Sequence, residues 1–237
     1  FAAVPNSLKR TQPLNLPDAM PEWALQEHMR ALAEKNATVR THRSFLGGGA
    51  YEHYIPAVVD TIASRGEFLT SYTPYQPEIS QGLLQGLFEY QTALSAVTGL
   101  PVVNGSCYDG ATALADAAWV CARISGKDAA GELLLSDGIW PHYRTVVDTY
   151  MTGRGVGRHA MRLDAGLLAM LKPAGFLFQT PNALGVLEDV KAIAAACAKH
   201  GVVSVCSFNP LAAGLTTPPG AQGVDIVTCD GQPLGLP

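Results

Sequence analysis

Residues Pro173 to Pro210 read PAGFLFQTPNALGVLEDVKAIAAACAKHGVVSVCSFNP. Ala174–Thr180 is an apolar run of strand length with a proline on either side. Val186–Gly201 then repeats apolar residues at helical spacing and stops at a glycine, the residue best suited to a left-handed helix cap. Val202–Ser207 is a second strand-like run. A strand, a helix and a strand joined by short turns make a parallel crossover unit. The alternation extends outward in both directions. Glu132–Ser136 (ELLLS) and Val224–Cys229 (VDIVTC) read as further strands, and Ala111–Ile124 (ATALADAAWVCARI) as a helix. PHYRTVVDTYM is a helix with Pro141 in its first turn, where a missing amide costs nothing. Apolar strands separated by helices predict an α/β fold, a three-layer αβα domain with a mostly parallel sheet covered on both faces.

Upstream of residue 100 the pattern is helical. PEWALQEHMRALAEKN starts at Pro21 and places Leu25, Met29 and Leu32 on one stripe, while IPAVVDTIASRG is a short helix ended by Gly66. From Glu78, the residues Ile79, Leu83, Leu87, Tyr90, Leu94 and Val97 hold a helical period up to Gly99. This predicts a helical N-terminal arm over 1–66 and an α/β large domain over 67–237.

Composition narrows the function classes. A chain of 237 residues, 48% hydrophobic with net charge −4, suits one sizeable core. With no Lys/Arg run longer than a pair, it offers no electrostatic footprint for nucleic acid or an anionic membrane. No apolar run approaches the roughly 20 residues of a membrane span. The five cysteines form no C-x-x-C pair and lie among apolar residues, as free thiols in a reducing compartment would. A cytoplasmic protein without a bound metal is expected.

In open parallel sheets, ligands sit beyond the carboxyl ends of the strands. The loops concerned are NGSCYDGATA, SDGIWPHY, QTPNALG, SFNPLAAG and CDGQPLGLP. Gly47–Gly49 fits neither a dinucleotide nor a P-loop pattern, Ser106 lacks the flanks of a nucleophile elbow, and His42 and His53 lack ligand spacing. Asp109, Gly110, Ala111 and Thr112 open a helix after Asn104. Its free amides either hold an anion or are capped by Asp109 or Thr112. In SYTPYQPEISQG, Pro74 and Pro77 stiffen a loop carrying Tyr72, Tyr75, Gln76 and Glu78. That loop either walls a channel or anchors itself by its tyrosines.

Taken in order, SFLGGG, GEFLTSYTPYQPEISQG, FEYQTALSAVTGL, NGSCYDGATALADA and CDGQPLGLP resemble the first (α) subunit of the glycine cleavage system P-protein, glycine decarboxylase. The resemblance runs along nearly the whole chain. It implies the large domain of a type I pyridoxal phosphate-dependent transferase. In that family the P-protein decarboxylates glycine and passes the aminomethyl group to the lipoyl arm of the H-protein, working as a heterotetramer of α and β subunits. The family continues past LGLP into more sheet and a small domain, so the chain reads as the N-terminal part.

A pyridoxal phosphate enzyme needs a lysine amine for imine formation and an acidic partner for the ring nitrogen. The position matching that lysine is Gln232, followed by Pro233, and the position matching the acid is Asn209. None of the six lysines stands on a strand-end loop. The resemblance therefore implies that the β partner holds the cofactor and that this chain is not active alone. Tyr72, Tyr75, Gln76 and Glu78 are expected at the substrate or lipoyl channel. Asn104, Tyr108, Asp109, Gly110, Thr112, Asn209 and Gln232 are expected in a vestigial or interface pocket. The alternative reading is a noncatalytic assembly partner with the same fold.

Overall fold

The computed structural model describes residues 1–49, 51–69, 73–126 and 131–236. The chain divides into two compact units, Phe1–Phe45 and Leu46–Pro237.

The first unit has one α-helix, α1 (Glu22–Ala33), which starts directly after Pro21. None of its 45 residues is buried, and Trp23, Leu25, Met29 and Leu32 all face solvent. The amphipathic stripe read from the sequence is therefore present, but nothing in its own unit covers it.

The second unit begins with α2 (Ala57–Ala63), α3 (Gly66–Leu69) and α4 (Gln81–Thr98). Helix α2, assigned to the arm from sequence, groups with this unit. One reason is the close approach of Gly235 to the segment before it, where an added Cβ would lie 2.8 Å from the Tyr54 carbonyl. Helix α4 carries the expected stripe, with Leu83, Leu87, Tyr90, Leu94 and Val97 partly buried. It starts later than the periodicity suggested: Pro77 and Glu78 form a turn, Ser80 is the N-cap, and Ile79 is exposed. Gly99 ends α4 in the left-handed conformation at φ 75°.

From residue 110 the elements alternate: α5 (Gly110–Ile124), β1 (Glu132–Ser136), α6 (Pro141–Thr152), β2 (Gly157–Met161), α7 (Ala165–Leu171), β3 (Gly175–Thr180), α8 (Val190–His200), β4 (Val203–Phe208) and β5 (Ile226–Cys229). The strands form a parallel sheet in the order β2-β1-β3-β4-β5. The layers follow from strand alternation. Leu133, Leu135, Leu177 and Val205 face Leu114, Ala118 and Cys121 of α5 and Val147 and Met151 of α6. Leu134, Phe176, Phe178 and Cys206 face Leu168 of α7 and Ile193 and Cys197 of α8. All six residues of β3 are buried, as expected for a strand covered on both faces.

Two elements depart from the sequence reading. GRHAM, strand β2, pairs with β1 at the edge and keeps Arg158, His159 and Ala160 at least partly exposed, so it carries no apolar signature. Helix α7 has seven residues, too short for periodicity to reveal.

The turn after β4 is fixed to the end of α4 through two glycines. A Cβ at Gly220 would lie 2.6 Å from the Gly99 carbonyl oxygen and 2.8 Å from Leu100 Cγ. Because the nearest atoms are backbone, Gly220→Ala must push the turn off the helix, at a cost of about 2 kcal/mol. Gly86→Ala, in open space on α4, should instead add about 0.5–1 kcal/mol. Urea midpoints of the two variants moving in the same direction would contradict this geometry.

Candidate functional site

The loops after β1, β3, β4 and β5 converge on a cavity of about 120 Å³ lined by residues including Tyr51, Trp140, Tyr143, Gln179, Asn209 and Asp230. Gln179 is the penultimate residue of β3 and is almost fully buried. Its amide donates to the Pro181 carbonyl at 3.0 Å and its oxygen accepts from the Trp140 amide at 3.0 Å. One side chain thus ties the loop after β1 to the loop after β3. Asn182, beside it, accepts from the amides of Leu184 (2.9 Å) and Val186 (3.0 Å) and donates to Glu188 at 2.7 Å. The Asn209 side-chain oxygen is engaged locally by the Leu211 amide at 3.1 Å.

The wall opposite α5 is aromatic and acidic. Trp140 stacks on His142 at 6.1 Å, and His142 meets Tyr143 edge-on at 4.9 Å. The Tyr143 hydroxyl sits so close to Gly110 that only glycine fits there. Burial, with the nearby charges of Asp230 and Asp109, pushes the Tyr143 phenol up to about 12. Asp230 accepts from the Gly110 amide at 3.3 Å and from the Gln232 amide at 3.1 Å.

The start of α5 is capped internally. Asp109 accepts from the Thr112 amide at 2.7 Å, while the Thr112 hydroxyl accepts from the Asp109 amide at 3.0 Å. Of the two uses open to this helix start, the structure takes capping, with Asp230 occupying a further amide.

These residues do not fit pyridoxal phosphate. Among the described residues no lysine lines the cavity to form an imine, and the side chains of Gln232 and Asn209 there are neutral amides. Among the described residues no cation lines the cavity, whose one charged residue is Asp230. Two of the amides opening α5, those of Gly110 and Thr112, already bind carboxylates.

A larger groove of about 760 Å³ runs between the end of α4, α5 and strand β5. Asn104, Tyr108 and Asp109 line it with apolar residues such as Leu94, Val102 and Val227, and Gln232 borders both spaces. The expected single pocket is thus two, with Asn209 in the cavity, Asn104 and Tyr108 in the groove, Thr112 in the cap and Gly110 buried beneath Tyr143. Tyr75, Gln76 and Glu78 line neither; they are exposed, Tyr75 by 82%, so Tyr75 does not anchor its loop. Tyr72 lies outside the described residues. Trp140, Tyr143, Gln179 and Asp230 were not singled out from sequence, although each stands in or beside a strand-end loop. Among the described residues no group of His, Cys, Asp and Glu is placed to hold a metal, and no helix is long and apolar enough to cross a membrane.

The sequence model of the family described as glycine cleavage system P-protein matches residues 1–237. The probable glycine dehydrogenase (decarboxylating) subunit 1 of Anoxybacillus flavithermus is 44% identical over 245 residues, covering 100% of this chain and 54% of that protein. The crystal structure of glycine decarboxylase (P-protein) of the glycine cleavage system, in inhibitor-bound form, superposes with a TM-score of 0.88 at 43% identity, again over 100% of this chain and 54% of the other. A NifS-like protein from Rickettsia africae shares the fold, at a TM-score of 0.55 and 15% identity over 80% of this chain and 54% of its own. The chain thus spans about half the length of the curated relatives it matches. Its sheet and flanking helices are those of a pyridoxal phosphate-dependent transferase fold. By sequence along its full length and by the superposition of its backbone, the chain belongs to the glycine cleavage system P-protein family.

Proposed function

We propose that this chain serves glycine decarboxylation as part of a first (α) subunit, supporting a reaction whose pyridoxal phosphate is held by the second (β) subunit. The observation that supports this reading is the cavity at the strand ends, which among the described residues is lined by no lysine, by the neutral Gln232 and Asn209, and by Asp230 as its one charge. The overall reaction in this reading takes glycine and the lipoyl group of the H-protein to the aminomethyl-dihydrolipoyl form and carbon dioxide, in the cytoplasm, within a heterotetramer.

What this chain supplies is surface. Pro74 and Pro77 hold the backbone between Tyr75 and Glu78, lowering the entropy lost when those side chains meet a partner. Tyr75, Ile79, Phe88 and Tyr108 are all exposed large side chains, a composition that favours an interface. On this reading Tyr75, Gln76 and Glu78, with Tyr72, wall the substrate or lipoyl channel of the β subunit and exclude water from it. The groove residues Asn104 and Tyr108 face the same interface.

The test is exchange of glycine carboxyl carbon with bicarbonate by the β subunit and H-protein, with and without this chain. Exchange should require the chain, and Tyr75→Ala or Gln76→Ala should lower it on the order of tenfold or more. If the chain binds the β subunit and exchange is unchanged, it is a noncatalytic assembly partner.

A further inference from the structure

We infer that the strand-end cavity binds a primary ammonium group. This stands on the cavity's own lining and holds whether or not the chain supports decarboxylation. Among the described residues lining the cavity the formal charge is a single carboxylate, Asp230, and no Lys, Arg or His lines it, His142 standing behind Trp140 and Tyr143. Each Asp230 oxygen accepts one backbone amide, at 3.3 and 3.1 Å, which leaves lone pairs on a carboxylate that has about four acceptor sites. Tyr51, Trp140 and Tyr143 add aromatic rings, whose faces attract a cation. The carboxamides of Asn209 and Gln232 offer further polar contacts at the same cavity. A volume of about 120 Å³ admits a head group of a few heavy atoms.

Anions are disfavoured by the same features. At the start of α5, where free amides would draw a phosphate, the Gly110 and Thr112 amides are taken by Asp230 and Asp109. A carboxylate or phosphate entering the cavity would meet like charge and no donor cation.

Two sources present this chemistry, a free small amine that carries no carboxylate and the lysine side chain of a partner protein. The probe is methylammonium, titrated into the full chain and followed by ligand-observed NMR, with acetate and inorganic phosphate as the opposite case. Methylammonium should bind and the two anions should not. Asp230→Asn should weaken methylammonium by about tenfold, and Asn209→Asp, which adds a second carboxylate, should tighten it by a similar factor. Far-UV circular dichroism checks that each variant is folded. Should Asp230→Asn disturb the start of α5, Asn209→Asp decides alone. Adding the second subunit separates the sources: displacement of methylammonium identifies a partner lysine, and undiminished binding identifies a free amine. The inference is overturned if acetate or phosphate binds as well as methylammonium, if folded Asp230→Asn binds it unchanged, or if Asn209→Asp fails to tighten it.

Discussion

The unfolding free energy should fall steeply as pH rises from about 8.5 towards 12, because three thiols are locked in the core. Cys121 on α5, Cys197 on α8 and Cys206 on β4 are all fully buried. Burial, with a smaller push from the charge of Asp225, raises Cys121 and Cys197 to about 12, and burial raises Cys206 further still. In the unfolded chain each thiol ionises near 8.5. Above that pH the unfolded state has released protons that the folded state retains, so it binds fewer protons and stability declines. The contribution is whole below the unfolded value and disappears as pH climbs through the folded one. Each tenfold loss of acidity on folding corresponds to about 1.4 kcal/mol, so three thiols raised together contribute substantially to stability below about pH 8.5. Urea unfolding at pH 7, 9, 10 and 11 should show the fall, and Cys206→Ala should lower its slope by one proton. A variant whose slope matches the parent would mean that Cys206 is not held neutral by the fold.

Phe176→Ala should cost about 3–5 kcal/mol at pH 7. Phe176 stands on the central strand β3, 1% exposed, with its ring stacked on Phe178 at 6.1 Å and an interplanar angle of 15°. Its neighbours on that face come from the sheet and from α7 and α8, which are anchored elsewhere and cannot collapse fully into the space left behind. The expected signature is a lower urea midpoint with an unchanged m-value. Phe88→Ala, on an exposed position of α4, should stay within about 0.5 kcal/mol. Equal losses at the two positions would contradict the layer assignment.

The central part of the sheet was legible because burial on both faces forces continuous apolar runs, as in Leu133–Leu135 and Phe176–Phe178. Strand β2 was not, because an edge strand answers to one neighbour and tolerates Arg158 and His159. The strand-end loops were correctly placed, since alternation alone fixes where carboxyl ends point. Their chemistry was harder to read. Gln232 and Asn209 were singled out only through the family resemblance. Asp230 looked like an ordinary turn aspartate until its contacts with Gly110 and Gln232 were visible. Tyr143 is separated from Gly110 by a helix and a strand in sequence, and only the packing of α6 beside α5 brings them together. Asp109 and Thr112 gave a clear local signal for a cap, and the local signal prevailed.

The strand order β2-β1-β3-β4-β5 also sets a schedule for synthesis. Once β1 and β2 have paired, β3 is laid on the free side of β1, and each strand after it on the one made just before, β4 on β3, then β5 on β4. A chain emerging from the ribosome N-terminus first never has to open a finished pairing to admit a new strand. It presents a single growing edge, already covered on both faces by helices made earlier or in the interval, so the sheet can be assembled at the pace of translation.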